Sequence, residues 1–284
     1  MVQLGAAGLG VCAVSLGLFY ATARGVIHRG DGPVAAVATP RVDPMAHVVS
    51  LERGLGLYAA QCASCHGPQG LGDGPQAEAL TPRPRNFESG WFKLGSTRSG
   101  LPTDDDVART IRHGMLPAAM PGWPHLSDGE VKSLALAVRH LAIEGRVADK
   151  LRRSPGFARE KALELARAAL EPGPVIAMPP KPVTIDLARG KVFYESNCAA
   201  CHDPDGRGKL REDLVDNDEN PIAARDFTSG VFKGGGSLDD IAMRIVRGMP
   251  GSPMPGNPAI AADDLWSTAA YVKAFGAAGE AGRR

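Results

Sequence analysis

Cysteine is scarce in this chain of 284 residues, and what there is comes almost entirely in two close pairs. Cys62 with Cys65 and Cys198 with Cys201 take four of the five; the fifth, Cys12, lies in the apolar N-terminus. No further pair remains to make a structural disulfide. Aromatic residues are also few, at 5%, so large rings alone do not fill the cores. Net charge is nearly absent: 32 basic against 31 acidic residues leave +1, which gives no argument for nucleic acid or for a strongly acidic partner. Nothing beside either cysteine pair reads as a βαβ unit, which speaks against a thioredoxin-like redox pair. What is abundant is glycine (35) and proline (23), the composition of long irregular loops. The length suits about two domains.

The cysteines carry the strongest signal. Cys62-Ala63-Ser64-Cys65-His66 and Cys198-Ala199-Ala200-Cys201-His202 both read C-x-x-C-H, the attachment signature of a c-type haem. Two thiols one helical turn apart reach the two vinyl groups on one porphyrin edge, and the adjacent histidine is then placed to bind the iron. A haem also supplies a large apolar plate, which suits a chain poor in aromatics. Zinc is the competing reading. Paired C-x-x-C zinc sites usually put the second pair about 15–20 residues on. Here the pairs start 136 positions apart (198 minus 62), and each has its own histidine and downstream methionine. Covalent haem attachment implies assembly outside the cytoplasmic membrane.

Read in order, the chain opens on Leu4 to Ala23, 20 residues without a charge and long enough to span a bilayer as a helix. Two readings stand for residues 1–23: a retained transmembrane anchor, preferred on length, or a signal segment cleaved at Ala21-Thr22-Ala23. Arg24 and Arg29 follow the stretch while Met1-Val2-Gln3 has no basic residue. The positive-inside rule would put the C-terminal side in the cytoplasm. Haem attachment requires the opposite and takes precedence. Residues 24–49 are a flexible spacer, with His28 and His47 solvated.

A first domain spans 50–145. Ser50 is an N-cap, and Leu51, Leu55, Tyr58 and Cys62 recur at helical spacing, so a first helix delivers the signature. Gly67, Gly70, Gly72 and Gly74 close a tight loop. Thr103-x-x-Asp106 starts a short helix that stops at Gly114, and Ser127-x-x-Glu130 opens a last one ending near Gly145. The second domain, 186–276, repeats this grammar: Asp186 stands for Ser50, Tyr194 for Tyr58, Ser237-x-x-Asp240 for Thr103-x-x-Asp106, and Met249 and Met254 for Met115 and Met120. Arg85-Asn86-Phe87 with Phe92-Lys93 is answered by Arg225-Asp226-Phe227 with Phe232-Lys233. Tyr271 and Phe275 fall on a last helix that stops at Gly276. Residues 146–185 form the linker, with an amphipathic helix from Ser154 to Ala169 and then a stiff extended run containing prolines 172, 174, 179, 180 and 182. Residues 277–284 are a tail. The acidic run Arg211 to Glu219 reads as a solvated loop of the second domain.

Each repeat, with C-x-x-C-H on a first helix, a late Met-Pro and a C-terminal helix, resembles a class I cytochrome c domain. The whole resembles membrane-anchored dihaem cytochromes c. The resemblance implies an all-α fold: two tandem class I cytochrome c domains joined by a helical and Pro-rich linker, after an N-terminal transmembrane helix. It implies two covalent haem c groups with iron, held by Cys62, Cys65, Cys198 and Cys201, with His66 and His202 as proximal ligands. Met120 and Met254 are the sixth ligands it points to, 54 residues past the first histidine (120 minus 66) and 52 past the second (254 minus 202). Met115 and Met249 are rivals, and core filling is the alternative for any of them. His113 and His125 are also near, but their counterparts are Arg247 and Ala259, so neither role is shared by both repeats. Arg85 and Arg225 suit haem propionates, since a guanidinium matches a carboxylate bidentately; the alternative is a solvated loop charge. Trp123 is a candidate cover for the haem edge, or ordinary packing. Pro75, Pro82 and Pro84 are all candidates for the carbonyl that orients His66.

Electron transfer is the function this reading favours, as a free carrier or as the cytochrome subunit of a respiratory complex on the outer, periplasmic face of the cytoplasmic membrane. Its partners are then redox proteins and the membrane, with no nucleic acid and no catalytic residue. The alternative is a dihaem enzyme such as a peroxidase. A haem-based sensor has no signalling domain to support it.

Overall fold

The computed structural model describes residues 48–281. The expected anchor and residues 24–47 of the expected spacer, with Cys12, His28 and His47, lie outside the described residues. Among those described, no helix is long and apolar enough to cross a membrane. There are no strands among them, only two isolated bridges.

The first repeat is built on α1 (Leu51–Gln61), the one-turn α2 (Ala63–His66), α3 (Asp104–His113) and α4 (Asp128–Arg153). The second repeats them as α6 (Leu187–Asn197), α7 (Ala199–His202), α8 (Leu238–Arg247) and α9 (Ala262–Ala281), with α5 (Arg159–Ala169) between. The expected caps are present. The Ser50 side chain accepts from the Arg53 amide, and Asp186 accepts from Ala188 and Arg189. Thr103 with Asp106, Ser127 with Glu130 and Ser237 with Asp240 are reciprocal capping boxes. Each satisfies amide donors that a helix start leaves without partners.

In both repeats the first helix crosses the last at a glycine. A Cβ on Gly54 would lie 1.9 Å from the Ser133 carbonyl oxygen, and one on Gly190 would lie 2.1 Å from that of Ser267. Only hydrogen fits there. The same serines fasten the helix starts: Ser133 Oγ accepts from the Ser50 amide at 3.1 Å, and Ser267 Oγ from the Asp186 amide at 3.2 Å. Tyr58, Leu134 and Val138 fill the first core, and Tyr194, Leu265 and Trp266 the second.

Three boundaries differ from expectation. The α4 helix does not end near Gly145 but runs to Arg153. Gly145 instead admits the loop at Glu88, whose Cβ a Cβ here would meet at 3.0 Å; Arg146 donates to the Glu88 and Ser89 carbonyls, and Val147 is buried against Ala162 and Ala166 of α5. The next helix begins at Arg159 rather than Ser154, because Ser154 caps α4 and Pro155-Gly156, with Gly156 at φ 86°, turns the chain. The α9 helix passes Gly276, which packs on Gly230, and reaches Ala281. A glycine inside a helical pattern suggests a stop, but at Gly145 and Gly276 close packing is what requires it.

The linker is not a free spacer. Thr97 and Val175 form a bridge, the Ile176 amide donates to the Ser96 carbonyl at 2.7 Å, and the Gly173 amide donates to Ser99 Oγ at 2.9 Å. Leu170 is buried in the first core and Ile176 in the second. The domains also touch directly. Arg247 of α8 donates to the carbonyls of Lys93 at 2.9 Å, Phe92 at 3.1 Å and Gly100. Around these contacts α3 and α8 line a crevice of about 820 Å³.

Candidate functional site

The α1 helix ends at Cys62, and the short turn after it presents Cys65 and His66. Gly67, at φ 77°, then reverses the chain. Tyr58 locks this reversal from below, its hydroxyl donating to the Gly67 carbonyl at 2.6 Å. In the second repeat Tyr194 donates to the Asp203 carbonyl at 2.6 Å, and Asp203 holds a left-handed φ of 62° without being glycine. Its carboxylate accepts from the amides of Lys209 and Leu210, which ties the reversal to the loop it starts.

Each histidine is oriented by one backbone carbonyl. His66 Nδ1 lies 3.1 Å from the Arg85 oxygen, and His202 Nδ1 lies 3.4 Å from that of Arg225. A carbonyl only accepts, so Nδ1 carries the proton and Nε2 keeps its lone pair. Burial, the larger influence, pushes both imidazoles below their usual pKa and keeps them neutral, as a metal ligand must be. The carbonyl that orients His66 is thus that of Arg85, not of Pro75, Pro82 or Pro84. Phe87 stacks on His66 with centroids 4.9 Å apart and Phe227 on His202 at 4.5 Å; Phe92 and Phe232 extend the two stacks. These aromatics were visible in the sequence only as a repeated Phe pair, and their role as supports for the imidazoles was missed.

The methionines sit on closed loops. The Met115 amide donates to the Met120 carbonyl at 3.0 Å, and the Met249 amide to the Met254 carbonyl at 3.1 Å. The Trp123 amide donates to the Ile111 carbonyl and the Asn257 amide to that of Ile245, which ties each loop to the last turn of α3 or α8. Gly114 and Gly248 make this closure possible: a Cβ on either would fall within 3 Å of the returning backbone.

In the first repeat these parts meet around one cavity of about 380 Å³. Cys62, Cys65 and His66 line it, and so do Phe87, Trp123 and both Met115 and Met120. His113 and His125 are exposed and do not line it. Burial, and then the neighbouring thiol, push Cys62 up to about 11 and Cys198 likewise, so these thiols are neutral before any reaction. Among the described residues no three or more His, Cys, Asp or Glu side chains are grouped to hold a metal ion. The donor set fits a c-type haem: two thiols and an imidazole on one wall of a largely apolar cavity, with thioethers on its lining.

The two arginines are placed differently. Arg85 lines the cavity, and its guanidinium pairs with Asp218 of the second domain at 3.5 Å. Arg225 turns back on its own loop, donating to the Asp226 carbonyl at 3.1 Å and to Ser229 Oγ. The acidic run is therefore more than a solvated loop. Asp216 is buried and accepts from the Asp218 and Asn220 amides, presenting Asp218 to Arg85.

A histidine-bearing turn and a methionine loop that line one cavity in the first repeat, with the same turn and the same closed loop built again in the second, make the arrangement of a cytochrome c. The chain belongs to the family described as cytochrome C oxidase, cbb3-type, subunit III, which matches residues 49–136 and again 185–272. Domains of this family are haem-based electron-transfer modules. Among solved structures, the chain is similar to a chain of the reducing HAO-like protein complex of Kuenenia stuttgartiensis. Identity is 30% and the TM-score 0.65, over 82% of this chain and 99% of that one.

Proposed function

We propose that the chain is a dihaem electron carrier. In this reading Cys62, Cys65 and His66 with Met120 hold one haem, and Cys198, Cys201 and His202 with Met254 hold the other. The observation that carries it is the duplicated pairing of an Nδ1-tethered histidine with a closed methionine loop. Bound there, a haem supplies one-electron chemistry, and methionine opposite histidine raises its potential. The residues of this chain keep each imidazole neutral, oriented and shielded by a phenylalanine. An enzyme needs an exchangeable iron position and polar groups over it; here each repeat offers a methionine for that position, and neither has a third cysteine for thiolate ligation.

The reading extends to the cell. Residues 4–23 anchor the protein, with both domains on the periplasmic side of the cytoplasmic membrane, where haem attachment occurs. The partners are redox proteins, as a free carrier or within a respiratory complex; membership of the similar Kuenenia chain in a protein complex supports association with other subunits.

The test is intact mass together with ligand binding. The purified protein should carry two haems and keep residues 1–23. Neither reduced iron should bind carbon monoxide readily at neutral pH, and electrons should pass to an acceptor protein without peroxide. Rapid carbon monoxide binding at one haem with peroxide-dependent turnover would establish the peroxidase alternative.

A further inference from the structure

Lys233 belongs to the second domain, yet it lines the cavity of the first beside Arg85 and Lys93. Lys93 and Lys233 are the same position in the two repeats, brought to one place by the docking of the domains. Around them Gly234 packs on Leu94, and Gly251 packs on Trp91 and the Arg85 guanidinium. Lys93 is only 7% exposed. Burial first, then the like charges of Lys233 and Arg85, press its pKa down to about 8 against the pull of Asp216 and Asp218. Lys233 is likewise lowered by burial and then by Arg225 and Arg85. The one ion pair in this group is between Arg85 and Asp218, which is 45% exposed. Among the described residues neither lysine ammonium has a carboxylate partner.

Gathering three cations on one wall of a cavity costs free energy unless anions come to them. The cavity is the one reached by Cys62, Cys65 and His66, and the group these residues fit carries two carboxylates of its own. We propose that Lys233 is a counter-ion, supplied across the domain interface, to the propionates of the haem held at Cys62 and Cys65. The potential of the first haem is then set partly by a residue of the second domain. This rests on the haem assignment made above.

The sign follows from charge. Oxidised haem carries one positive charge more than reduced haem, so a nearby ammonium disfavours the oxidised form. Removing it stabilises that form and lowers the midpoint potential. The experiment is a spectroelectrochemical titration of the full-length, haem-loaded protein at neutral pH, comparing wild type with Lys233→Met and Lys233→Arg. A Cys62→Ser/Cys65→Ser variant identifies which titration component is the second haem. Lys233→Met should shift the first haem about tenfold toward oxidation, about 59 mV for a one-electron couple, and the second by less. Lys233→Arg, which keeps the charge, should stay close to wild type. A larger shift at the second haem, no shift at either, or an equal shift in both variants would overturn the proposal. A wild-type protein lacking haem at Cys62 and Cys65 would instead refute the haem assignment, and haem stoichiometry by mass separates the two failures. Should Lys233→Met not accumulate folded, Lys233→Gln removes the same charge and is read in the same way.

Discussion

Gly54 rests on the carbonyl of Ser133, and this one contact sets how closely the first and last helices of the first domain approach. Its duplicate, Gly190 on Ser267, sets the second. Both contacts face backbone, so the clash that any side chain brings has no flexible neighbour to relieve it.

Gly54→Ala and Gly190→Ala should therefore each destabilise their own domain. Overpacking of this kind costs about 1–3 kcal/mol. Gly56→Ala is the control: nothing lies within 4 Å of a Cβ there, and alanine is favoured over glycine in a helix by about 1 kcal/mol. Thermal unfolding followed by circular dichroism should show lower midpoints for the first two and an equal or higher one for the third.

Met120→Ala and Met254→Ala should each abolish the sulfur-to-iron charge-transfer absorption of one haem. Met115 lines the same cavity as Met120, so the geometry leaves a direct rival in place. Loss of the band in Met115→Ala or Met249→Ala, with the band kept in Met120→Ala or Met254→Ala, would reassign the ligand.

Asp106 offers a pH dependence with a definite sign. One carboxylate oxygen accepts from the amide and hydroxyl of Ser96 and the amide and hydroxyl of Thr103, all within 2.8–2.9 Å. Burial would raise its pKa, but these hydrogen bonds together outweigh burial and lower it. Its stabilisation is thus fully present above the unfolded value of about 3.9 and is lost as pH falls through the lower folded value. Asp106→Asn should cost about 1–3 kcal/mol near neutrality. In urea titrations, the difference from wild type should shrink as pH is lowered through the carboxylate range.

Arg247→Met should loosen the pairing of the domains. The arginine is mostly buried and satisfies three carbonyls of the first domain. Hydrogen bonds to a charged group contribute about 1.5–3 kcal/mol each, and not additively. The expected outcome is an increased radius of gyration by small-angle scattering and faster proteolysis in residues 170–183. Unchanged scattering would show that the linker alone holds the arrangement.

Local chemistry was legible in the sequence, and long-range contacts were not. The signatures, the five helix starts and the repeat register could all be read because each depends on residues within a few positions of one another. Gly145 and Gly276 were misread as stops because their partners, Glu88 and Gly230, lie tens of residues away. A proline is no better an acceptor for His66 than any other residue, since every residue has a carbonyl; only the fold selects Arg85. The acidic loop looked solvated because nothing local shows that Asp218 meets Arg85 across the domains. Comparing the repeats pointed to shared chemistry and, for the same reason, away from Arg247, whose importance lies in its differing from His113.

The docked linker changes what counts as the second domain. Trp266, buried on α9, donates its indole N–H to the Pro179 carbonyl at 3.1 Å and lies under the Lys181 ammonium at 4.8 Å. Ile176 completes the same core. A polypeptide starting at the helix cap Asp186 would leave that indole without its acceptor and open a hole where Ile176 belongs. Cutting instead before Gly173 would strip the Ser96–Ser99 segment of the first domain of its pairing partners. Either half expressed alone would thus need residues 170–183, and the chain has no position between its repeats at which it divides without injury to one of them.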